Sequence, residues 1–334
     1  MEVIVDTRGV PTLWQIIDQF RSARKPDEAL WEDLFESPGY AALTKSEFTE
    51  EFFQEVLREA FSRYEVEKDH SKIDSSQSIF IEHFREGLKK RTEITSFLND
   101  FGEKASRLGP MIADLVEDYL PESALLDEVK VAFVLFQMDA RGYEWIIVDA
   151  LLAMEMGDLL HRLIAHEYHH QCRDAILCYD KEKVQNEDKD LMWALNQIQA
   201  EGIADQIDKP DWFFGHNPVD AYSGFVEQYR IELEKAEETL DLIDSVIQKE
   251  HQKGTSREII GKKVREILPL SGHPIGYFMA KTIFNAELGG EMIDSVGNPF
   301  EFFRLYSKSR NILAESPFSE STIDFLVQLE EKYS

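Results

Sequence analysis

Apolar side chains recur every three or four residues over much of the chain, which is the pattern of amphipathic helices. Residues 12–120 are predicted to form a succession of such helices. A second long helical pattern covers residues 78–108, and the polar stretch 67–77 before it predicts a loop. An earlier helical pattern, between residues 48 and 61, follows a predicted cap at Ser46. Its apolar positions are Phe48, Phe52, Phe53, Val56, Leu57, Ala60 and Phe61.

Two short stretches, residues 129–137 and 144–149, break the helical period. Both have the length of a strand and are rich in β-branched and aromatic residues, so they predict a small β-sheet just before the next helical run. The fold class is therefore expected to be α+β, mostly α. We predict two parts, an N-terminal helical region at residues 1–124 and a second domain at residues 125–334.

Helices are also predicted in the C-terminal part of the chain. Asn217 and Pro218 have the spacing of a cap and a first helical residue, and they predict one long helix to about Glu250. Residues from Phe300 onward predict two more helices, with Pro317 between them.

The helical run at residues 159–172 contains the sequence His-Glu-Tyr-His-His, a match to the pattern H-E-x-x-H. His166 and His170 are four residues apart and share one helix face, so their imidazoles can bind one metal ion. Glu167 lies beside that pair, where a carboxylate can take a proton from a metal-activated water. His169 points about 100° away from its neighbours and is predicted to be a packed or surface histidine.

A zinc site with two histidines needs a third protein ligand. The metzincin pattern requires glycine and histidine where this chain has Arg173 and Ile176, so that class is excluded. A later helical run, residues 191–207, carries Glu201 and Asp205 on one face. Glu201 is the candidate third ligand, and Asp205 could accept the outer N–H of a ligand histidine.

The five residues together resemble the gluzincin pattern of thermolysin-like zinc metallopeptidases. More narrowly, they resemble uncharacterised bacterial families described as zinc-dependent peptidases, over residues 128–290. The resemblance implies a zincin-like catalytic domain in residues 125–334 that hydrolyses peptide bonds of a peptide or protein substrate. It also implies the role of each residue: Zn²⁺ is bound by His166, His170 and Glu201, Glu167 is the general base, and Asp205 orients a ligand.

The same resemblance suggests two further features. Gluzincins pair extended substrate with an edge strand of the sheet, for which residues 145–149 are the candidate and an ordinary buried hairpin the alternative. They also stabilise the oxyanion with a histidine or tyrosine from a later helix. Pro274 predicts a helix start that places His273 at its N-terminus and Tyr277 one turn inside, so both are candidate catalytic residues. Simple core packing is the alternative for Tyr277.

Small residues predict close helix packing near the same site. Gly202 would let its helix approach the H-E-x-x-H helix closely. Gly276 and Ala280 are four residues apart and suggest a second close packing, also against the H-E-x-x-H helix.

Two alternatives to a zinc peptidase remain open. Glu167 and His170 also have the ligand spacing of di-iron helical bundles, but the other match to that spacing, Glu67 and His70, falls in the predicted loop. The second alternative is a catalytically silent zincin scaffold that binds or regulates. The intact Glu167 favours an enzyme.

Composition narrows the partners and the location. The chain has 334 residues and a net charge of −28, with a pI near 4.7, so a phosphate backbone or an anionic membrane would repel it. Neither a signal peptide nor a membrane span is evident, and Cys172 and Cys178 lie too far apart along a helix for a disulfide. We therefore expect a cytoplasmic protein that binds neither nucleic acid nor membrane.

Overall fold

The structure is a computed structural model that describes residues 1–62 and 75–333. Within these residues the chain forms four strands and seventeen α-helices, so the predicted α+β, mostly α class is confirmed. The chain folds as two compact units, residues 1–113 with 126–168 and residues 114–125 with 169–334. The predicted domain division at residues 124 and 125 stays a prediction.

The strands of the first unit form one sheet in the order β1-β2-β4-β3. Strands β1 and β2 are parallel, as are β2 and β4, whereas β3 is antiparallel to β4. The two predicted strands correspond to β2 and β4, and the other two were not predicted. The bounds are β1 (Glu2–Asp6), β2 (Glu128–Val134), β3 (Ala140–Gly142) and β4 (Ile146–Asp149).

Strand β4 lies in the interior of the sheet, between β2 and β3. The prediction that residues 145–149 form the edge strand is therefore wrong. The alternative, a buried hairpin, is closer to the structure, because β4 pairs antiparallel with the preceding β3, although it also pairs in parallel with β2. All four residues of β4 are buried. A short, continuous apolar run is typical of a parallel strand covered on both faces, which is the physical reason for the interior position.

The helices up to residue 175 follow the predicted pattern with different boundaries. Ser46 ends a helix, and Thr49 caps the next one by accepting a hydrogen bond from the Phe52 N–H at 3.1 Å. The predicted helix at residues 78–108 is interrupted at Lys90, and most of the predicted loop, residues 67–74, lies outside the described residues. The bounds are α1 (Gly9–Arg21), α2 (Glu28–Phe35), α3 (Pro38–Ser46), α4 (Glu50–Phe61), α5 (Ser75–Lys89), α6 (Arg91–Lys104), α7 (Leu108–Val116), α8 (Ala150–Met156) and α9 (Leu160–Ala175).

Asp149, at the end of β4, fixes the approach to the H-E-x-x-H helix. One carboxylate oxygen accepts hydrogen bonds from the N–H groups of Leu151 and Leu152, each at 3.0 Å, and so caps α8. The other oxygen accepts from the Phe136 N–H at 2.9 Å and from His83 Nε2 at 2.8 Å. One carboxylate therefore joins β4, the end of β2 and α5 at the point where the chain turns toward α9.

The second unit consists of helices. The helix predicted from Asn217 begins only at Ser223 and is divided at Lys235, so the prediction of one continuous helix is wrong. The Asn217 side chain accepts hydrogen bonds from Trp212 Nε1 and from the Val219 N–H, and it stabilises a turn there instead of a helix start. The bounds are α10 (Lys189–Trp212), α11 (Ser223–Glu234), α12 (Ala236–Gln252), α13 (Arg257–Ile267), α14 (His273–Asn285), α15 (Gly289–Asp294), α16 (Pro299–Ile312) and α17 (Glu320–Tyr333).

Helices α10 and α14 cross with their backbones in contact. A Cβ atom added at Gly202 would lie 2.4 Å from the carbonyl carbon of Gly276, and one added at Gly276 would lie 2.0 Å from the Ile198 carbonyl oxygen. The prediction that these glycines pack against the H-E-x-x-H helix is wrong, because they pack against each other. The crossing brings the first turn of α14 beside Glu201 and Asp205.

None of the described helices combines the length and the apolar character needed to cross a membrane.

Candidate metal centre

Helix α9 carries the H-E-x-x-H sequence as one uninterrupted helix, so His166 and His170 lie one turn apart on the same face. His166 and Glu167 are buried, and His170 is partly exposed. Tyr168 points elsewhere: its hydroxyl donates to the Leu126 carbonyl at 2.8 Å and accepts from the Leu126 N–H at 2.9 Å. This pair of hydrogen bonds fixes the rotation of the helix.

His169 is fully buried, with Nε2 at 3.2 Å from the Tyr119 carbonyl oxygen. The prediction of a packed histidine is confirmed.

Glu201 on α10 completes a group of three candidate ligands. The ligand atoms of His166, His170 and Glu201 all lie within 4.8 Å of one another. His170 Nε2 lies 3.1 Å from Glu201 Oε2, close to the separation of about 3.3 Å expected for two donors on a tetrahedral zinc ion. Two imidazole nitrogens and one carboxylate are also the donor set of catalytic zinc sites with three protein ligands. The residues present therefore fit zinc.

Buried Arg173 lies one turn after His170 and ties α9 to α10. Its guanidinium donates to Gln199 Oε1 at 2.9 and 3.2 Å and to Asn196 Oδ1 at 2.8 Å. Burial lowers the pKa of Arg173, which the neighbouring carboxylate of Asp174 partly offsets. These hydrogen bonds hold the two helices at the spacing that His170 and Glu201 require. The sequence alone does not reveal this role of Arg173, because its partners lie on another helix.

Asp205 lies one turn after Glu201 and is fully buried. Its carboxylate accepts from the Tyr229 hydroxyl at 2.9 Å and from His273 Nδ1 at 3.1 and 3.2 Å, and it lies 3.3 Å from Lys209 Nζ. A carboxylate oxygen of Asp205 also lies within 4.8 Å of a ring nitrogen of His166. That Asp205 orients a ligand histidine stays a prediction; the hydrogen bonds with His273 and Tyr229 are additional contacts.

His273 begins α14 and lies beside the candidate ligands. Since carboxylates only accept hydrogen bonds, His273 Nδ1 carries the proton shared with Asp205, and the same nitrogen lies 3.5 Å from Glu201 Oε2. Burial lowers the pKa of His273, but the carboxylates of Glu201 and Asp205 outweigh it and raise the pKa above its usual value. The structure thus places His273, a candidate catalytic residue, next to the predicted ligand Glu201.

A left-handed turn places His273 there. Leu270, Ser271 and Gly272 have φ values of 46°, 55° and 93°, a region that non-glycine residues rarely adopt. The turn directs the chain into α14 so that its first residue faces α10. Only Gly272 marks this turn in the sequence.

Tyr277, one turn into α14, belongs to an aromatic cluster. Its ring centroid lies 5.5 Å from that of Phe214 and 6.3 Å from that of Tyr229. Burial, together with the charge of Asp205, raises its pKa to about 12, so the hydroxyl is protonated at neutral pH. Core packing is therefore observed, and a role as a hydrogen-bond donor in catalysis stays a prediction.

Sequence reasoning missed three polar residues around Asp205, namely Tyr229, Asp208 and Lys209. Asp208 could have been found, because Glu201, Asp205 and Asp208 are spaced at i, i+4 and i+7 on one helix face. Lys209 stands next to Pro210 and has the sequence context of a helix end. The helix instead continues to Trp212, which keeps Lys209 buried.

Comparison with known proteins places the chain in a described family. No curated protein and no solved structure shows a significant match to the chain. A family model described as "Putative zinc dependent peptidase (DUF5700)" matches residues 31–311, which include every candidate site residue. Since the match covers most of the chain, the protein belongs to this family of zinc-dependent peptidases.

Proposed function

We propose that the protein is a zinc metallopeptidase of the gluzincin type that hydrolyses a peptide or protein substrate. The observation that carries the proposal is the convergence of His166, His170 and Glu201, with Glu167 next to the first ligand on α9. Membership of the zinc-dependent peptidase family supports the same reaction. Zinc held by these three side chains would polarise the scissile carbonyl and lower the pKa of a water molecule to near neutrality.

Glu167 is the proposed general base. Its carboxylate takes a proton from the attacking water and returns it to the leaving amine, so one residue serves both halves of the reaction. Glu167 is buried within α9, and its backbone is held by the helix and by the neighbouring Tyr168 hydrogen bonds.

His273 and Tyr277 are the proposed donors to the oxyanion that forms at the substrate carbonyl. His273 Nδ1 is held by Asp205, which leaves Nε2 as the ring atom that can face a substrate. The Tyr277 hydroxyl is protonated at neutral pH and would act as a second donor.

The variant Glu167→Gln tests the proposed reaction. We expect it to keep its zinc and to lose hydrolysis of a peptide library by about 10²–10⁴-fold, because the amide is isosteric but cannot take a proton. Glu182→Gln, at an exposed position, is the matched control and should behave as wild type. Full hydrolysis by Glu167→Gln would show that the assigned role is wrong.

Metal analysis of wild type, together with the same hydrolysis assay, separates the alternatives to a zinc peptidase. Wild type that binds zinc and cleaves nothing would favour the catalytically silent scaffold. Iron in the purified protein would favour the di-iron site, whose second predicted pair, Glu67 and His70, lies outside the described residues. The cytoplasmic location and the lack of nucleic-acid or membrane partners remain predictions from composition.

A further inference from the structure

Helix α10 directs three carboxylates toward one side. Glu201, Asp205 and Asp208 follow each other at i, i+4 and i+7, and the last two are fully buried. Burying several carboxylates together is costly unless cations or hydrogen-bond donors compensate their charge. The proposed zinc ion would compensate the charge of Glu201, and Tyr229 and His273 donate hydrogen bonds to Asp205. A cation beside Asp205 and Asp208 would lower the cost of burying these carboxylates further.

A second divalent ion would be one such source. The ligand atoms of Glu201, Asp205 and His273 also lie within 4.8 Å of one another, so they have the spacing of a second metal group that would share Glu201 with the first. Carboxylates that bridge two ions are a common way to build two-metal hydrolytic sites. The donor set alone therefore does not decide between one ion and two.

Lys209 supplies a positive charge beside both aspartates from within the chain. Its Nζ lies 2.7 Å from Asp208 Oδ2 and 3.3 Å from Asp205 Oδ1, and the residue is only 5% exposed. Its ammonium also lies 5.2 Å from the centroid of the Trp212 ring and 4.8 Å from that of Phe213, both within cation–π range.

Lys209 is charged despite its burial. Burial lowers its pKa, but the carboxylates of Asp208 and Asp205 outweigh this and raise the pKa above its usual value. The Lys209 ammonium therefore lies next to Asp205 Oδ1, and the Tyr229 hydroxyl donates a hydrogen bond to Asp205 Oδ2. A divalent ion at Glu201, Asp205 and His273 would have to displace these donors and approach a buried ammonium.

We infer that Lys209 restricts the centre to one metal ion and keeps Asp205 as the hydrogen-bond partner of His273 and Tyr229. The inference rests on the proposed zinc site at His166, His170 and Glu201. It assigns Lys209 a role in setting the number of metal ions, in addition to neutralising buried carboxylates.

The test is a zinc titration of the full-length variant Lys209→Met, with metal per chain measured after dialysis. We expect wild type to hold about one zinc ion. Lys209→Met should bind a second ion at least about tenfold more tightly than wild type does, because the like charge is gone. Lys281→Met, an exposed lysine on α14, is the matched control and should stay at the wild-type value.

The double variant Lys209→Met/His273→Ala identifies the second position. It should return to the wild-type stoichiometry, because His273 is the only nitrogen ligand of the second group. Lys209→Arg should also stay at the wild-type value, because it keeps the positive charge. A Lys209→Met protein whose zinc stoichiometry and second-ion affinity equal those of wild type would overturn the inference.

If Lys209→Met does not fold, the zinc stoichiometry of wild type and of His273→Ala tests the inference. A tight second equivalent of zinc that is lost in His273→Ala would overturn the inference, and saturation at one equivalent would support it. Wild type that binds no zinc would instead refute the proposed metal site. The two failures are therefore distinguishable.

Discussion

Side chains from α10, α11 and α14 converge on the buried carboxylate of Asp205. It binds His273 and Tyr229 and lies beside Lys209, so these residues hold each other in place near Glu201. A buried polar network of this kind is rigid only when its members keep their partners. Catalytic hydrogen bonds require such rigidity, because a donor must already lie where charge will develop.

His273→Ala tests the proposed role of His273 in binding the oxyanion. We expect kcat to fall by about 10²–10³-fold with little change in KM, because the lost hydrogen bond forms mainly in the transition state. Steady-state kinetics on one peptide, with zinc content measured alongside, checks this. His216→Ala, an exposed histidine, is the control. An unchanged kcat in His273→Ala that still binds zinc would remove His273 from the mechanism.

Tyr277→Phe tests whether the Tyr277 hydroxyl also binds the oxyanion. The substitution keeps the ring and its packing against Phe214, so stability should change little. If the hydroxyl binds the oxyanion, kcat should fall by about 10²–10³-fold in this variant as well. Wild-type kcat would leave Tyr277 as a packing residue, the alternative that its burial also supports.

At the residue scale, the sequence predicts what lies within one helix and misses what depends on distant helices. His166, Glu167 and His170 follow from a local motif, and Glu201 and Asp205 from a one-turn spacing. The Tyr229 hydrogen bond to Asp205 joins residues 24 positions apart. No local pattern identifies such a partner, because it depends on how α10 and α11 pack.

Helices α10 and α14 cross at Gly202 and Gly276, and this crossing places His273 beside Glu201 and Asp205. Gly202→Ala should lower the free energy of unfolding by about 1–3 kcal/mol, because the added methyl meets the Gly276 backbone at 2.4 Å. Chemical denaturation at fixed zinc concentration measures this.

The matched control for the crossing is Gly224→Ala. This glycine lies in helix α11 and has no atom within 4 Å of an added Cβ. Alanine favours the helix there, so we expect a gain of about 0.4–1 kcal/mol. A Gly202→Ala protein as stable as wild type would mean that α10 and α14 do not approach this closely.

The elements themselves were largely predictable, but their arrangement was not. The composition of residues 129–137 and 144–149 predicts strands but not their parallel pairing with each other. Strand β3 has only three residues, whereas β1 contains the β-branched run Val3, Ile4 and Val5, which was not predicted as a strand. Likewise, Gly202 and Gly276 predict close packing, but they pack against each other and not against the H-E-x-x-H helix. A glycine in a helix indicates that the backbone of another helix approaches closely. The sequence does not identify that other helix.

The whole molecule should depend on zinc for part of its stability. An ion that binds the folded chain and not the unfolded one stabilises it by about 2.7 kcal/mol at a hundred times its Kd. We therefore expect a chelator to lower the thermal unfolding midpoint of wild type. In Glu201→Ala, which lacks one proposed ligand, the chelator should have little effect. Equal shifts in both proteins would place the stabilising ion elsewhere.

The division into two units was not predictable from composition. Each unit is discontinuous in sequence, since residues 114–125 fold with residues 169–334. The boundary predicted at residues 124 and 125 coincides with the change between helical and strand patterns. A change of that kind reports local structure and carries little information about which segments pack together.

We propose above all that His166, His170 and Glu201 bind one zinc ion. The most direct test is the metal content per chain of protein purified without added metal, compared between wild type, Glu201→Ala and the exposed control Glu182→Ala. We predict about one zinc ion in wild type and in the control, and its loss in Glu201→Ala. No zinc in wild type, or zinc unaffected by the loss of Glu201, would contradict the account.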